Sequence, residues 1–162
     1  LVSVLCYDIL IQITQEGKME NIKLIITIQC EIAKRRCSGF HCMNSFFTRT
    51  GLFKDYPKNE ELRFLTFQCG GCHGKGINSL LGNVNKLLAK ENLISKDEVA
   101  VHFASCVAFD NHHSDRCPFI NAMKKIVNKM GYINIVEGSY LSKTATRRRE
   151  EGVYKDYISL NK

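Results

Sequence analysis

The sequence lacks the features that would assign it to several large classes of protein. No apolar run approaches the roughly 20 residues that a membrane-spanning helix needs, which argues against an integral membrane protein. There is no Ser-His-Asp pattern or carboxylate pair with an interpretable spacing, so no enzyme activity can be derived. The 162 residues, of which 44% are apolar and 24% charged, predict one soluble domain with its own core.

The first eighteen residues also lack the features of a signal peptide. Their apolar stretch has no basic region before it, and no small-residue cleavage site follows it. Codons for Gln15-Glu16-Gly17 can contain a ribosome-binding sequence just ahead of Met19, so we expect translation to start at Met19 and Cys6 to have no role. We expect the protein to be cytoplasmic. We also expect three divisions of the chain, which are a non-native or upstream-translated extension (1–18), a main domain (19–138) and a basic C-terminal tail (139–162).

The positive charge of the chain is concentrated near its C-terminus. The formal net charge is +7, and residues 139–162 alone carry six Lys or Arg and three acids, which gives 6 − 3 = +3. Arg147-Arg148-Arg149 is a dense basic run with Tyr154 and Tyr157 nearby, but no nucleic-acid-binding fold accompanies it. The charge therefore predicts a solvated tail or a short exposed helix rather than a nucleic-acid partner.

Apolar segments rich in β-branched residues alternate with segments of helical periodicity. The strand candidates are Ile22–Gln29, Leu62–Gln68, Val99–Ser105 and Tyr132–Val136. The helix candidates are a short segment at Met43–Thr50, one face running from Ile77 to Leu88, and another from Phe119 to Met130. This alternation predicts a three-layer, flavodoxin/Rossmann-like α/β fold. Its mainly parallel sheet would have about four strands in the order 2-1-3-4, with helices on both faces.

Three of the eight cysteines follow the predicted strands at corresponding positions. Cys30 and Cys69 each end a Thr-x-Gln-Cys sequence, and Cys106 follows the third strand. Carboxyl ends of parallel strands meet at one edge of the sheet, where such folds bind ligands, so we expect these thiols and Cys72 to converge. A single strand-end cysteine would be interpreted as a buried small hydrophobe, but three at one edge favour a site. His102, inside a strand, is expected to be a core histidine with satisfied hydrogen bonds.

The loops that follow the strands add further thiols and histidines to this edge. The loop after the first strand contains two cysteines and a histidine, Cys37, His41 and Cys42. The loop after the third strand ends at Cys117-Pro118, where the proline suits the first turn of a helix. The N-terminus of that helix is expected to favour the thiolate of Cys117. This second loop also holds two histidines that we expect to be solvated, His112 and His113.

These residues together resemble the CGGC-domain family. The resemblance is carried by a first-strand cysteine, a Cys-x4-Cys loop with glycine, a central Cys-Gly-Gly-Cys, a His-x3-Cys strand end and a Cys-Pro helix start. It extends over about residues 21–138, and the combination is far more specific than a single Cys-x-x-Cys. It implies metal binding, which is inferred for this family from its cysteine and histidine content. The family's cysteines would be Cys30, Cys37, Cys42, Cys69, Cys72, Cys106 and Cys117. His73 departs from the pattern, since the family commonly has proline there, so a family-wide role for His73 is not expected.

Thiolates suit a zinc ion or an iron–sulfur cluster, because these are soft or borderline acceptors. Cys69 and Cys72 can bind one metal from a single turn, but a structural zinc site usually has two such pairs and this chain has one. The remaining ligands would have to come from the other strand ends, Cys30 and Cys106. The second-rank candidates are Cys37, Cys42 and Cys117, with His41 and His73 as supplements. The sequence thus predicts a cysteine-bound transition metal at the carboxyl edge of the sheet.

The Cys69-Gly-Gly-Cys72-His73 sequence also fits other chemistries. A Cys-x-x-Cys between a strand and a helix is the setting of thiol–disulfide redox proteins, which is the alternative function and would imply a redox partner protein. Several residues separate Cys72 from the expected helix, however, and five further domain cysteines stay unexplained. Covalent haem attachment is disfavoured because the motif ends a buried strand and no signal peptide is predicted. The spacing around Gly74-Lys75-Gly76 is wrong for a phosphate loop, although its backbone N–H groups suit an anion.

Overall fold

The computed structural model describes residues 19–58 and 61–160, which form an open, fully parallel sheet with helices on both faces. The strands are β1 (Leu24–Gln29), β2 (Arg63–Gln68), β3 (Val99–Phe103) and β4 (Asn134–Glu137). Their order is β2-β1-β3-β4, so the predicted fold class and strand order are confirmed. The expected extension at 1–18, with Cys6, lies outside the described residues and stays a prediction.

The helices occupy the connections between the strands and the segment after β4. They are α1 (Glu31–Lys34), α2 (Phe40–Thr48), α3 (Ile77–Glu91), α4 (Ser105–Ala108), α5 (Ile120–Lys129), α6 (Lys143–Glu150) and α7 (Tyr157–Leu160). Short 3₁₀ turns cover Gly51–Phe53, Cys72–Gly74 and Lys96–Glu98. Within the described part of the chain, no helix is both long and apolar enough to cross a membrane.

Two element boundaries differ from the sequence-based expectation for local reasons. β3 ends at Phe103 rather than at Ser105, because Ser105 already begins α4. The Ala104 N–H nevertheless donates to the Ile28 oxygen at 2.9 Å, which extends the hydrogen-bonded ladder by one residue. The short helix predicted at 43–50 begins at Phe40 and ends where Arg49 adopts a left-handed conformation with φ 52°.

One face of the sheet packs against α3 and α5. Successive side chains of a strand point to opposite faces, so alternate residues of β1 share this face, namely Leu24, Ile26 and Ile28. They pack with helix residues at helical spacing, which are Ile77 and Leu81 of α3 and Ile120, Met123 and Val127 of α5. The buried cluster includes Cys69, and three more cysteines pack against it, Cys30, Cys106 and Cys117. The cysteines of the candidate site therefore lie at the edge of this core.

The opposite face packs against α2 and contains a buried histidine. His102 of β3 is completely buried; its Nε2 lies 2.7 Å from the Tyr56 hydroxyl oxygen and its Nδ1 lies 2.9 Å from the Gly138 carbonyl oxygen. Burial lowers the pKa of His102 to about 4, although the Gly138 carbonyl opposes the shift. His102 is therefore neutral near pH 7 and is the hydrogen-bonded core histidine that the sequence predicts.

The segment after β4 packs onto the carboxyl edge of the sheet. Ser139 is fully buried, its N–H donates to the Ser105 Oγ at 3.0 Å, and its own Oγ accepts from the Ser105 N–H at 3.1 Å. The Ser105 hydroxyl in turn donates to the Tyr140 oxygen at 2.6 Å. These bonds fix the start of α4 against the connection between β4 and α6. Part of the expected C-terminal tail, residues 139–162, thus covers the edge at which the cysteines lie.

Candidate metal centre

The carboxyl ends of β1, β2 and β3 bring three cysteines to one edge. Gln29 of β1 is opposite Gln68 of β2, and the Cys69 N–H donates to the Gln29 oxygen at 2.9 Å. Cys30 and Cys69 therefore follow adjacent strands at the same level, and such strands lie about 4.8 Å apart. On the other side of β1, the Cys30 N–H donates to the Cys106 Sγ at 3.3 Å. The three strand-end cysteines thus meet around the tip of β1.

The Cys-Gly-Gly-Cys loop folds back sharply because its glycines adopt conformations that other residues avoid. Gly70 has φ 76°, and a Cβ atom there would lie 2.5 Å from both the Cα and the nitrogen of Gly76. This close approach lets the Gly76 N–H donate to the Cys69 oxygen at 2.9 Å. Gly71 has φ 104°, but nothing lies within 4 Å of a Cβ position there. The result is a compact loop in which Cys69 is only 7% exposed and Cys72 is exposed.

The two histidines named as supplementary ligands pack against aromatic rings. The His73 ring lies 3.8 Å from that of Phe119, centroid to centroid, and His73 adopts a left-handed φ of 66°. This contact ties the Cys-Gly-Gly-Cys loop to the residue that precedes α5. His41 stacks on Tyr140 with a centroid distance of 4.7 Å and an interplanar angle of 14°. Each ring therefore has a packing role, whatever else it does.

Cys117 lies on the Cys-Gly-Gly-Cys side of the edge, and its thiol is not activated. The Cys117 N–H donates to the Val107 oxygen at 2.9 Å, which holds the residue next to α4. Burial raises the pKa of Cys117, a hydrogen bond from the Phe119 N–H opposes this, and three neighbouring thiolates raise it further, those of Cys30, Cys69 and Cys72. The start of α5 does favour this thiolate, as expected, because the N–H of its N-cap residue Phe119 lowers the pKa of Cys117, but burial outweighs that effect.

Cys106 is held as a neutral thiol. Burial raises the pKa of Cys106 to about 12, and the hydrogen bond from the Cys30 N–H opposes this only in part. Neighbouring thiolates raise it further, namely those of Cys42, Cys30 and Cys37. A metal bound by this sulfur must therefore displace a proton, so its affinity depends on pH.

The thiols of the described residues form two groups on either side of Cys30. The CGGC group, as we call it, consists of Cys69, Cys72 and Cys117, which are electrostatic neighbours. The cavity group consists of Cys37, Cys42 and Cys106, which together line a cavity of about 120 Å³. The charge of the Cys30 thiolate raises the pKa of Cys117 in the CGGC group and the pKa of Cys106 in the cavity group. Sequence reasoning ranked Cys106 with Cys69 and Cys72, whereas the structure brings Cys117 to that pair and Cys106 to the cavity.

The donor chemistry of these residues fits a soft metal, but they do not form a closed ligand set. Thiolates are the ligands that zinc, copper(I) and iron–sulfur clusters prefer, and seven cysteines of the described residues are free. Among those same residues, no three or more His, Cys, Asp or Glu side chains are close enough together to hold a metal ion. The thiols would therefore have to approach one another and lose protons when a metal binds.

Fold and site together define an open parallel α/β protein with a cysteine cluster at the carboxyl edge of its sheet. A sequence model described as the CGGC domain matches residues 23–140, which is most of the chain. The chain therefore belongs to the CGGC domain family, as the sequence motifs indicated. Membership suggests metal binding without specifying the metal. No curated protein and no solved structure matches this chain.

Proposed function

We infer that this protein binds a transition metal, as zinc or an iron–sulfur centre, through thiolates at the carboxyl edge of its sheet. The observation that carries this proposal is the meeting of three strand ends at one place. Cys30 and Cys69 follow adjacent strands in register, and the Cys30 N–H lies 3.3 Å from the Cys106 Sγ. Thiols delivered by rigid, neighbouring strands need only small movements to share one ion.

The proposed ligands keep the order that the sequence suggested, with one addition. Cys69, Cys72, Cys30 and Cys106 are the first choices, and Cys117 joins them because it is an electrostatic neighbour of Cys30, Cys69 and Cys72. The remaining candidates, Cys37 and Cys42, lie in the cavity group. Free thiols also suit a reducing compartment, which is why we propose a cytoplasmic location.

The experiment that tests this proposal is anaerobic purification of the full chain, followed by elemental analysis and visible absorption spectroscopy. Zinc without colour would identify a zinc site, and iron with broad visible bands would identify a cluster. Cys69→Ser and Cys72→Ser should each reduce the bound metal severalfold, because each removes a ligand. Cys6→Ser is the matched control and should leave the metal content unchanged. Protein that binds neither metal at stoichiometric level after reconstitution would contradict the proposal.

A thiol–disulfide redox function is the second candidate, and the exposure of the Cys-Gly-Gly-Cys pair favours it. Cys72 is exposed while Cys69 is 7% exposed, so one thiol is accessible and the other is protected. The Cys72 thiolate would attack a disulfide of a partner protein and expel one of its sulfurs as a thiolate. Cys69 would then attack the mixed disulfide, which releases the reduced partner and leaves Cys69–Cys72 oxidised by two electrons.

The two candidates respond differently to a change at Cys30. The redox pair is local, so Cys30→Ser should leave its reduction potential and its rate with a protein disulfide unchanged. A shared metal centre draws on several strand ends, so Cys30→Ser should lower its metal content. Metal-free protein whose Cys69 and Cys72 cycle with a dithiol would favour the redox function. Loss of metal in Cys30→Ser would favour the metal centre.

A further inference from the structure

The outer face of α2 carries an apolar ridge that is open to solvent. Phe40, Met43 and Phe47 are 58%, 39% and 70% exposed. Residues three, four and seven positions apart share one face of a helix, so these side chains and the exposed Asn44 form a ridge about 10 Å long, here called the α2 ridge. The inner face of α2 is apolar as well, because Phe46 is buried in the core. A helix that is apolar on both faces is usually covered on both faces.

The α2 ridge differs from the other exposed apolar side chains because no charge accompanies it. The helix Phe40–Thr48 contains no Lys, Arg, Asp or Glu, and the guanidinium of Arg49, the next residue, lies over the Phe46 ring of the inner face. By contrast, α3 exposes Leu80 and Leu87 but also carries three charged residues. Helices that lie on membranes have Lys or Arg on their polar face, so a lipid surface does not suit this helix. The α2 ridge therefore suits another protein surface.

The arrangement of side chains along the α2 ridge indicates which protein surface covers it. An aromatic residue stands at each end, Phe40 and Phe47, and Met43 and Asn44 stand in the middle, so the ridge has nearly the same shape in both directions. A two-fold dimer buries one patch of both copies, and that patch must fit its own rotated copy. If two α2 helices pack antiparallel about an axis between residues 43 and 44, Phe40 of each copy lies beside Phe47 of the other. Such aromatic pairs are favourable, and a polar Asn within an apolar seam can fix its register.

The area of the α2 ridge sets the expected strength of such a dimer. A phenylalanine side chain buries about 150–250 Å², so the exposed parts of Phe40 and Phe47 offer roughly 250 Å² in each copy. Met43 and Asn44 add less than this, and two copies together therefore bury less than the roughly 1,200 Å² of a stable interface. Contacts of this size form weak and reversible complexes, so we expect the dimer to depend on concentration in the micromolar range.

We propose that two copies of this chain form a weak two-fold dimer in which their α2 ridges pack antiparallel. The contact is separate from the proposed metal centre, because Cys42 lies on the opposite face of α2, with its Sγ 3.3 Å from the Ser139 Oγ. Dimerisation therefore leaves the candidate ligands of each copy in place. The dimer carries two cysteine clusters, one on each side of the paired helices.

Sedimentation equilibrium of the full-length protein tests the proposal. A reductant excludes disulfide-linked dimers, and a chelator excludes dimers that a metal ion bridges. The average mass should rise from that of one chain towards that of two as the concentration increases through the micromolar range. Phe47→Lys should stay monomeric throughout, whereas Leu87→Lys, a matched change at a half-exposed leucine of α3, should associate like the unchanged protein. A monomeric mass of the unchanged protein at every concentration, or equal effects of the two substitutions, would overturn the proposal.

A pair of charged double variants tests the antiparallel arrangement and also controls for misfolding. One variant combines Phe40→Asp with Phe47→Asp, and the other combines Phe40→Lys with Phe47→Lys. Each alone should be monomeric, because like charges would meet across the axis. Their equimolar mixture should dimerise, because every Asp then lies beside a Lys of the other copy. A mixture that stays monomeric would contradict self-pairing of the ridge, as expected if a different protein binds there. Since the chelated protein is used, failure of metal binding would leave this result standing.

Discussion

The neutral state of Cys106 leads to a quantitative prediction for its chemical reactivity. Burial raises its pKa from the ordinary value of 9.0 to about 12, a difference of three units that corresponds to about 4 kcal/mol. At pH 8 the thiolate fraction should therefore be about 1,000-fold smaller than that of an ordinary thiol. Because only the thiolate reacts with iodoacetamide, Cys106 should be alkylated about 1,000-fold more slowly than a cysteine in an unstructured peptide.

The pH dependence of the alkylation rate separates this effect from simple shielding. Peptide-resolved mass spectrometry of chelator-treated protein gives the rate of Cys106 between pH 7 and pH 11. The rate should rise about tenfold per pH unit throughout that range, because the pH stays below the pKa of the Cys106 thiol. Shielding alone would lower the alkylation rate at every pH, but the midpoint of its pH dependence would stay near the ordinary thiol pKa of 9.0. A plateau near pH 9 would therefore refute the argument that burial suppresses the thiolate.

Three further predictions concern the groups that support the site. Lowering the pH from 6.5 to 4 should reduce the free energy of unfolding, measured by urea titration, by about 3 kcal/mol, because His102 takes up a proton at higher pH in the unfolded chain than in the folded protein. His102→Gln should make the free energy of unfolding less dependent on pH over this range. Tyr56→Phe should cost about 1–3 kcal/mol in the same assay, since it leaves the His102 Nε2 unpaired, and a cost near zero would contradict this. Gly70→Ala should destabilise the protein by about 3 kcal/mol, through backbone strain and the loss of the hydrogen bond from the Gly76 N–H to the Cys69 oxygen. Gly71→Ala is the matched control, because it adds backbone strain alone. Equal melting temperatures of the two variants would contradict the close approach of Gly70 to Gly76.

Much of the architecture was accessible from the sequence because its strands are buried on both faces. Runs of β-branched residues such as 22–29 are distinctive, and alternation with helical periodicity leaves few topologies for a parallel sheet. The Thr-x-Gln-Cys endings also located the edge at which Cys30 and Cys69 meet. The boundary of β3 was less accessible, because α4 begins immediately at Ser105 and no glycine or proline marks the change.

The division of the thiols into two groups could not be predicted from spacing. It depends on how the chain turns after β3, which brings the Cys106 sulfur to the Cys30 N–H and the Cys117 N–H to the Val107 oxygen. Both bonds join residues from separate elements, and no local pattern encodes them. Gln29 was visible in the repeated strand ending, but only tertiary structure shows that its amide nitrogen and the Lys34 Nζ both pack against Gly39.

The position of Cys30 at the end of the central strand has a consequence for any ion that its sulfur holds. β1 pairs with β2 on one side and with β3 on the other, and the Cys30 N–H also donates to the Cys106 sulfur. An ion bound there would add its binding free energy to the folded arrangement of all three strands, so its removal should weaken their pairing together.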